Sequence, residues 1–300
     1  MDTHQTPWRV PRGLWRAMRP KQWPKNAFIF AALVFDGKLF VPAYLAAVVV
    51  GFCALCCLSS AVYLLNDVVD APADRLHPTK RSRPIARGDV SPRAALAWAA
   101  LLAAAALIVG FALEPAFGVI SLAYALLMML YTFKLKHVVI VDVIVIAIGF
   151  VLRVAAGIPL VDAVRFSPWL YLCMLLLALL LGFGKRRQEL VELNGDASTR
   201  AILSEYTISL LDQIIAIVTS ATIVSYALYT FSAPQLPANH SMMLTIPFVL
   251  YCVFRYLYLV HVKGAGGAPD EILLTDRPLQ ASLALWAAAV VMVLYVLPQT

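Results

Sequence analysis

The sequence predicts an all-α fold, a polytopic membrane bundle of about nine transmembrane helices, and three observations carry that prediction. Hydrophobic residues make up 62% of the 300 and charged residues 14%, where a soluble chain averages about 45–50% and about 25%. Mean hydropathy is +0.81, more apolar surface than a water-facing fold can hide, and lipid is the solvent that accepts it. The apolar residues also come in runs near the ~20 residues of a membrane span. In lipid every backbone N–H and C=O needs an internal partner, so each run becomes a helix.

In chain order the runs lie at 24–36, 41–65, 93–113, 116–133, 138–158, 167–184, 208–231, 242–261 and 280–298. The first is short and extends back toward Trp15 as a tilted or interfacial helix. Lys and Arg accumulate on the cytoplasmic side of membrane proteins. With the N-terminus inside, 20 of the 24 basic residues fall in the inner segments 1–25, 66–93, 134–137, 185–207 and 262–279. Lys38 and Arg165 fall outside, and Arg153 and Arg255 fall within spans. This predicts one membrane-embedded domain over 1–300, multi-pass in the inner (plasma) membrane, with a basic cytoplasmic segment at 1–20. The two long hydrophilic loops, 66–92 and 185–207, are both cytoplasmic, and loops on a rigid scaffold are where function concentrates.

A net charge of +7 and a pI near 9.2 would suit nucleic acid, but the basic residues sit in short connections between spans, which excludes that class. Cys53, Cys56, Cys57, Cys173 and Cys252 lie inside apolar runs, without metal-ligand spacing, and read as small hydrophobes. The basic N-terminal stretch leads into a span without a small-residue cleavage site, so no cleavable signal is expected.

The strongest chemical signal is Asn66-Asp67-Val68-Val69-Asp70-Ala71-Pro72-Ala73-Asp74, at the inner end of the second run. If the helix continues through it, steps of three and four residues set Asp67, Asp70 and Asp74 on one face. Three carboxylates so close repel one another unless a cation joins them. Mg²⁺ takes a few carboxylates and completes its shell with substrate phosphate oxygens. The bland alternative is a solvated acidic helix end. Against it stands the basic stretch that follows at once, His77-Pro78-Thr79-Lys80-Arg81-Ser82-Arg83-Pro84-Ile85. Its prolines disfavour helix before them, and Lys80 and Arg83 offer a point charge and a planar fork for phosphate.

Asn66-Asp67-x-x-Asp70-x-x-x-Asp74 followed by His77-Pro78-x-Lys80-x-x-Arg83-Pro84-Ile85-Ala86-x-Gly88 resembles the UbiA superfamily of intramembrane prenyltransferases. The resemblance covers nearly the whole chain. It implies a nine-helix bundle around a central lipid-accessible cavity. It also implies Mg²⁺ and a diphosphate on Asp67, Asp70 and Asp74, which are then both metal ligands and catalytic residues, with Asn66 beside them. Tyr131 and Lys136 resemble the family's Tyr-x-x-x-Lys element with one more residue between them. Members with aromatic substrates carry a second Asp-rich motif after the sixth span. Here that place reads Gly184-Lys185-Arg186-Arg187-Gln188-Glu189-Leu190, with Asp196 further along. Together with Arg19 to Asn26, which includes Lys25, and with Asp270-Glu271-Ile272 to Asp276-Arg277, it resembles the phosphoribosyltransferase branch of the family.

That branch implies transfer of the phosphoribosyl group of phosphoribosyl diphosphate (PRPP) to a polyprenyl, decaprenyl-type phosphate, releasing pyrophosphate, for lipid-linked pentose supply to cell-envelope polysaccharide. The expected substrate-binding set is Lys25, Asn66, Lys80, Arg83, Tyr131, Lys136, Arg153, Lys185, Arg186 and Glu189. The charge pattern agrees, since PRPP and a lipid phosphate bring more anionic groups than a prenyl diphosphate with a small acceptor. Lys185 and Glu189 stand four apart on one helical face. Asp142 and Arg153, eleven residues apart, return to the same face about 16 Å along the axis. Arg153 in a span should face the bundle interior, either as a wall residue of the site or in a structural pair. The rival reading is a polyprenyl diphosphate-dependent transferase acting on an aromatic or other small acceptor. A lipid transporter, a different class, would call for inverted repeats, which the sequence does not display. The partners are PRPP, the polyprenyl phosphate and membrane lipids, and homo-oligomerisation is left open.

Overall fold

The computed structural model describes residues 9–77, 79–162, 167–192, 201–234, 236–265, 267, 272–273 and 275–297. Arg165, Asp196, Asp270 and Glu271, named above, lie outside the described residues, as does Pro78. Every regular element among the described residues is helical. The order is α1 (Arg9–Ala17), a 3₁₀ stretch Pro20–Ile29, α2 (Phe30–Phe35), α3 (Pro42–Leu76), α4 (Pro84–Arg87), α5 (Pro92–Leu113) and α6 (Pro115–Phe133). Then follow α7 (Val141–Gly157), α8 (Pro168–Glu192), α9 (Ile208–Ser232), α10 (Ile246–His261) and α11 (Arg277–Val291), the last ending in a π turn, Met292–Val296.

Eight of these, α3 and α5 to α11, are long and apolar enough to cross a membrane. The remaining apolar run, 24–36, is helical as well, but as the 3₁₀ stretch leading into the short α2. Pro24 inside it removes a backbone donor. Local sequence sets the helix starts. Pro42, Pro84, Pro92, Pro115 and Pro168 open five helices, where the missing N–H costs nothing. Ser91, Thr207 and Asp276 accept from the third residue on, capping α5, α9 and α11. Large apolar side chains such as Ile108 and Ile217, 70% and 69% exposed, identify lipid as the surrounding solvent.

The chain forms two compact units. The first comprises residues 1–33, 41–136 and 152–162, and the second 34–40, 137–151 and 163–300. In the first, α3 packs on α5 and α6. Ala95, Ala99, Ala106 and Gly110 are the buried residues of α5, and small residues let helix backbones approach closely in the absence of a hydrophobic driving force between spans. Gly157 meets the same requirement in the extreme, because a Cβ there would stand 2.0 Å from the Ile29 carbonyl oxygen. In the second unit, Phe183, Leu190, Leu211, Ile215, Val253, Leu259 and Leu279 form the core of α8 to α11. Polar ties reinforce it: Tyr226 pairs with Thr245 at 2.6 Å and receives Trp286 Nε1 at 2.7 Å.

Two helices outrun their apolar cores, which corrects the expected loop boundaries. α3 continues through Pro72 to Leu76, so the loop expected over 66–92 starts at His77. α8 continues to Glu192, so Lys185, Arg186 and Glu189 are helical. Hydropathy changes where charge begins, whereas the hydrogen-bond ladder continues until its caps fail.

Candidate active site

The extension of α3 sorts its carboxylates. Ser60, Leu64, Asp67, Ala71 and Asp74 form one buried stripe at alternating four- and three-residue steps, the spacing of a packed helix face. Asp67 and Asp74 therefore point inward, 2% and 4% exposed. Asp70 stands at the side of the stripe, its side chain 29% exposed.

Burial of a carboxylate demands a partner, and each has one. Arg83, at the N-cap of α4, donates from Nη1 to Asp74 Oδ2 at 2.7 Å and to Asp67 Oδ1 at 3.2 Å. α4 holds Arg83 in place through Pro84 at its first position and Gly88 in the left-handed conformation at its end, φ 87°. Arg19 also donates to Asp67 Oδ1 and lies over the Tyr63 ring, 4.9 Å from its centroid. Asp70 takes Lys136 Nζ on one oxygen at 2.5 Å and Asn66 Nδ2 on the other at 2.9 Å. His77 closes the turn after α3, its Nδ1 facing the Thr79 and Lys80 N–H groups at 3.3 and 3.4 Å. Burial and the Lys80 ammonium lower its pKa, which keeps that nitrogen an acceptor near pH 7.

The structure thus brings together Asn66, Asp67, Asp70, Asp74, Arg83 and Lys136. Lys80 is half-buried in the adjoining 3₁₀ turn, and Lys25 is half-buried in the 3₁₀ stretch. Tyr131 is half-buried on α6 and makes no hydrogen bond among the described residues. Arg153 is buried, with Nε donating to Asn26 Oδ1 and Nη2 to the Tyr124 hydroxyl, both at 2.8 Å. Asn26 in turn donates to Ser59 at 3.1 Å. Sequence reasoning did not single out Arg19. Its side chain reaches Asp67 from a left-handed backbone, φ 55°, a conformation its neighbour Pro20 does not advertise.

The second unit holds its own charged network. Arg186, its side chain 5% exposed, donates to Asp142 Oδ2 at 2.8 Å and to Glu189 Oε2 at 2.6 Å. Asp142 also accepts from the Tyr206 hydroxyl at 3.1 Å. Asp142 and Arg153 therefore serve different partners although they share α7. Lys185 is exposed one residue before Arg186.

Among the described residues no three acidic, His or Cys groups converge at metal-ligand spacing; each carboxylate faces a cation. The donor set is that of a hard divalent ion, carboxylate oxygens with an amide neighbour, so Asp67, Asp70 and Asp74 fit Mg²⁺ by donor chemistry. The abutting Arg and Lys side chains suit the phosphate that such an ion carries.

Fold and site together define an α-helical integral membrane protein with an Asp-rich, cation-paired surface at the end of its longest helix. The chain belongs to the UbiA prenyltransferase family, whose model matches residues 26–270. The decaprenyl-phosphate phosphoribosyltransferase of Corynebacterium glutamicum is 34% identical, over 98% of this chain and 90% of that protein. Its counterpart of the same name in Mycobacterium tuberculosis is 33% identical over 95% of both chains. A solved structure of a UbiA homolog from Archaeoglobus fulgidus bound to GPP and Mg²⁺ superposes with a TM-score of 0.72, at 19% identity, covering 95% of this chain and all of that one. The fold read from the sequence and the family resemblance are both borne out.

Proposed function

We propose that the chain is a membrane phosphoribosyltransferase that moves the 5-phosphoribosyl group of PRPP onto a polyprenyl phosphate and releases pyrophosphate. The observation that carries this reading is the identity of 33–34% over 95–98% of the chain to proteins of that name, joined to a site rich in the cations a phosphorylated donor needs. Asp67, Asp70 and Asp74 would hold Mg²⁺, which neutralises charge building on the leaving diphosphate. Lys80 and Arg83 add fixed positive charge to that leaving group, Lys136 holds Asp70, and Lys185 contributes to phosphate binding. In the step itself the C1–O bond to pyrophosphate breaks with its electron pair on the diphosphate, and an oxygen of the lipid phosphate bonds to C1. That oxygen is anionic at pH 7, so no general base is needed.

The whole chain, 1–300, acts as one enzyme of the inner membrane with its site toward the cytoplasm, the side marked by the Lys and Arg excess. The product is a lipid-linked pentose for cell-envelope polysaccharide. Purified protein given polyprenyl phosphate and either PRPP or a prenyl diphosphate with an aromatic acceptor tests the assignment. A phosphoribosyl lipid that forms with Mg²⁺ and fails with EDTA is the expected product. Turnover of the prenyl diphosphate with no use of PRPP overturns the reading.

A further inference from the structure

The cations of the first compact unit fall into two kinds. Those at the α3 carboxylates are paired: Arg19 and Arg83 with Asp67, Arg83 with Asp74, and Lys136 with Asp70. On α1 they are not. Arg12 and Arg16 are exposed and stand four residues apart on a nine-residue helix without an acidic residue. Neither meets a carboxylate among the described residues. Like charges at that spacing repel and destabilise a helix, and a helix this short is marginal by itself.

Contacts on its two faces hold α1. Gly13, Leu14 and Ala17 are buried, and Leu14 and Ala17 share one core with Leu64 and Ala71 of α3 and Ala95 and Ala99 of α5. Those partners stand where the apolar runs 41–65 and 93–113 end, at the edge of the hydrocarbon. Nine residues reach about 14 Å, too short to cross its ~30 Å, so α1 lies at the surface. The outward face is Arg12, Trp15 and Arg16, at steps of three and four residues. Trp15 is 56% exposed, with its ring edge-on to Trp23 at 5.4 Å, and Trp23 Nε1 donates to Ser60 of α3 at 3.0 Å. Tryptophan flanked by arginine on the outer face of a surface helix is the composition of a helix seated in lipid headgroups. Arg93, in the first turn of α5, is exposed at the same level and also meets no carboxylate among the described residues.

We infer that the Arg12–Trp15–Arg16 face of α1 docks on the phosphate groups of anionic membrane lipids, which supply the negative charge that the helix lacks. The contact bears on the site. A Cβ at Gly13 would stand 2.7 Å from Val90 Cγ2 and 3.8 Å from Pro84 Cβ, so α1 rests against the start of α4, next to Arg83. Arg19 follows the end of α1 by two residues and donates to Asp67. α1 therefore stands between the headgroups and both arginines that hold Asp67.

The test places full-length protein in nanodiscs of phosphatidylcholine alone, or of phosphatidylcholine with phosphatidylglycerol, and follows amide hydrogen exchange over residues 12–18. Phosphatidylglycerol should slow exchange in α1 about 30-fold, the product of two arginines each worth about fivefold at an anionic surface, and raised salt should shrink the effect. The Arg12→Gln/Arg16→Gln variant should lose the response to phosphatidylglycerol, whereas Arg12→Lys/Arg16→Lys, which keeps the charge, should retain most of it. Should the glutamine variant loosen α1 in phosphatidylcholine as well, the wild-type and lysine comparisons still decide. Equal exchange of wild-type α1 in both discs, a lysine variant without a response, or a response that persists in the glutamine variant each overturn the inference. Equal protection by inorganic phosphate in phosphatidylcholine discs overturns it too, because the phosphate would then not come from the lipid surface.

Discussion

Lys136 Nζ lies 2.5 Å from Asp70 Oδ1, although 66 positions separate the two residues in the chain. Asp70 receives Asn66 on its other oxygen, so the most accessible carboxylate of the three is held from two sides by groups that a phosphate also attracts. Lys136→Met, which keeps length and removes charge, should raise KM for PRPP about 10- to 150-fold, the worth of one charge-assisted contact. Lys136→Arg should recover part of it, because fork and point charge differ in geometry. Lys134→Met serves as the control and should leave KM unchanged.

Asp67 and Asp70 should separate in stability while agreeing in activity. Asp67 is 2% exposed and engages both Arg19 and Arg83, so Asp67→Asn leaves buried polar groups poorly matched and should cost about 1–3 kcal/mol. Asp70 is partly exposed, and Asp70→Asn should change stability by no more than about 1 kcal/mol. Both should lower turnover at least about 100-fold. Thermal unfolding in detergent beside a transfer assay reads both quantities. Equal losses of melting temperature would contradict the burial difference.

Neighbouring cations on α8 should fail in opposite ways. Arg186→Ala leaves Asp142, fully buried, without its guanidinium, a change that costs about 3–5 kcal/mol and should appear as lost expression and a lower melting temperature. Lys185→Ala removes an exposed charge and should leave the melting temperature in place while KM for PRPP rises. A Lys185 effect seen equally in stability would make it a structural residue.

Gly184 and Tyr256 form a steric pair. A Cβ at Gly184 would stand 2.3 Å from the Tyr256 hydroxyl oxygen and 3.2 Å from Cζ, and that hydroxyl has no hydrogen-bond partner among the described residues. Gly184→Ala should therefore destabilise by about 1–3 kcal/mol, the range of overpacking. Tyr256→Phe alone should be neutral or stabilising, since it removes an unsatisfied buried hydroxyl. The double variant should regain most of the Gly184→Ala loss, measured as denaturation midpoint. Failure of Tyr256→Phe to rescue would locate the clash in the helix backbones.

The sequence by itself determined the solvent, the helical fold and the main carboxylate motif. Those properties depend on local composition and on spacing along one helix, and Asp67, Asp70 and Asp74 share α3. It also pointed to Arg83 and Lys136, because basic residues next to an acidic cluster are legible as charge. Only the tertiary structure decided which cation meets which carboxylate, since Arg19, Arg83 and Lys136 come from three separate segments. It likewise parted Asp142 from Arg153, giving the first to Arg186 and Tyr206 and the second to Asn26 and Tyr124. The left-handed turns at Arg19 and Ile140 carry no local signature, because neither residue prefers that conformation and each adopts it in company with partners distant in the chain. Local preference sets elements, while buried charge must be satisfied wherever the fold supplies a counter-charge.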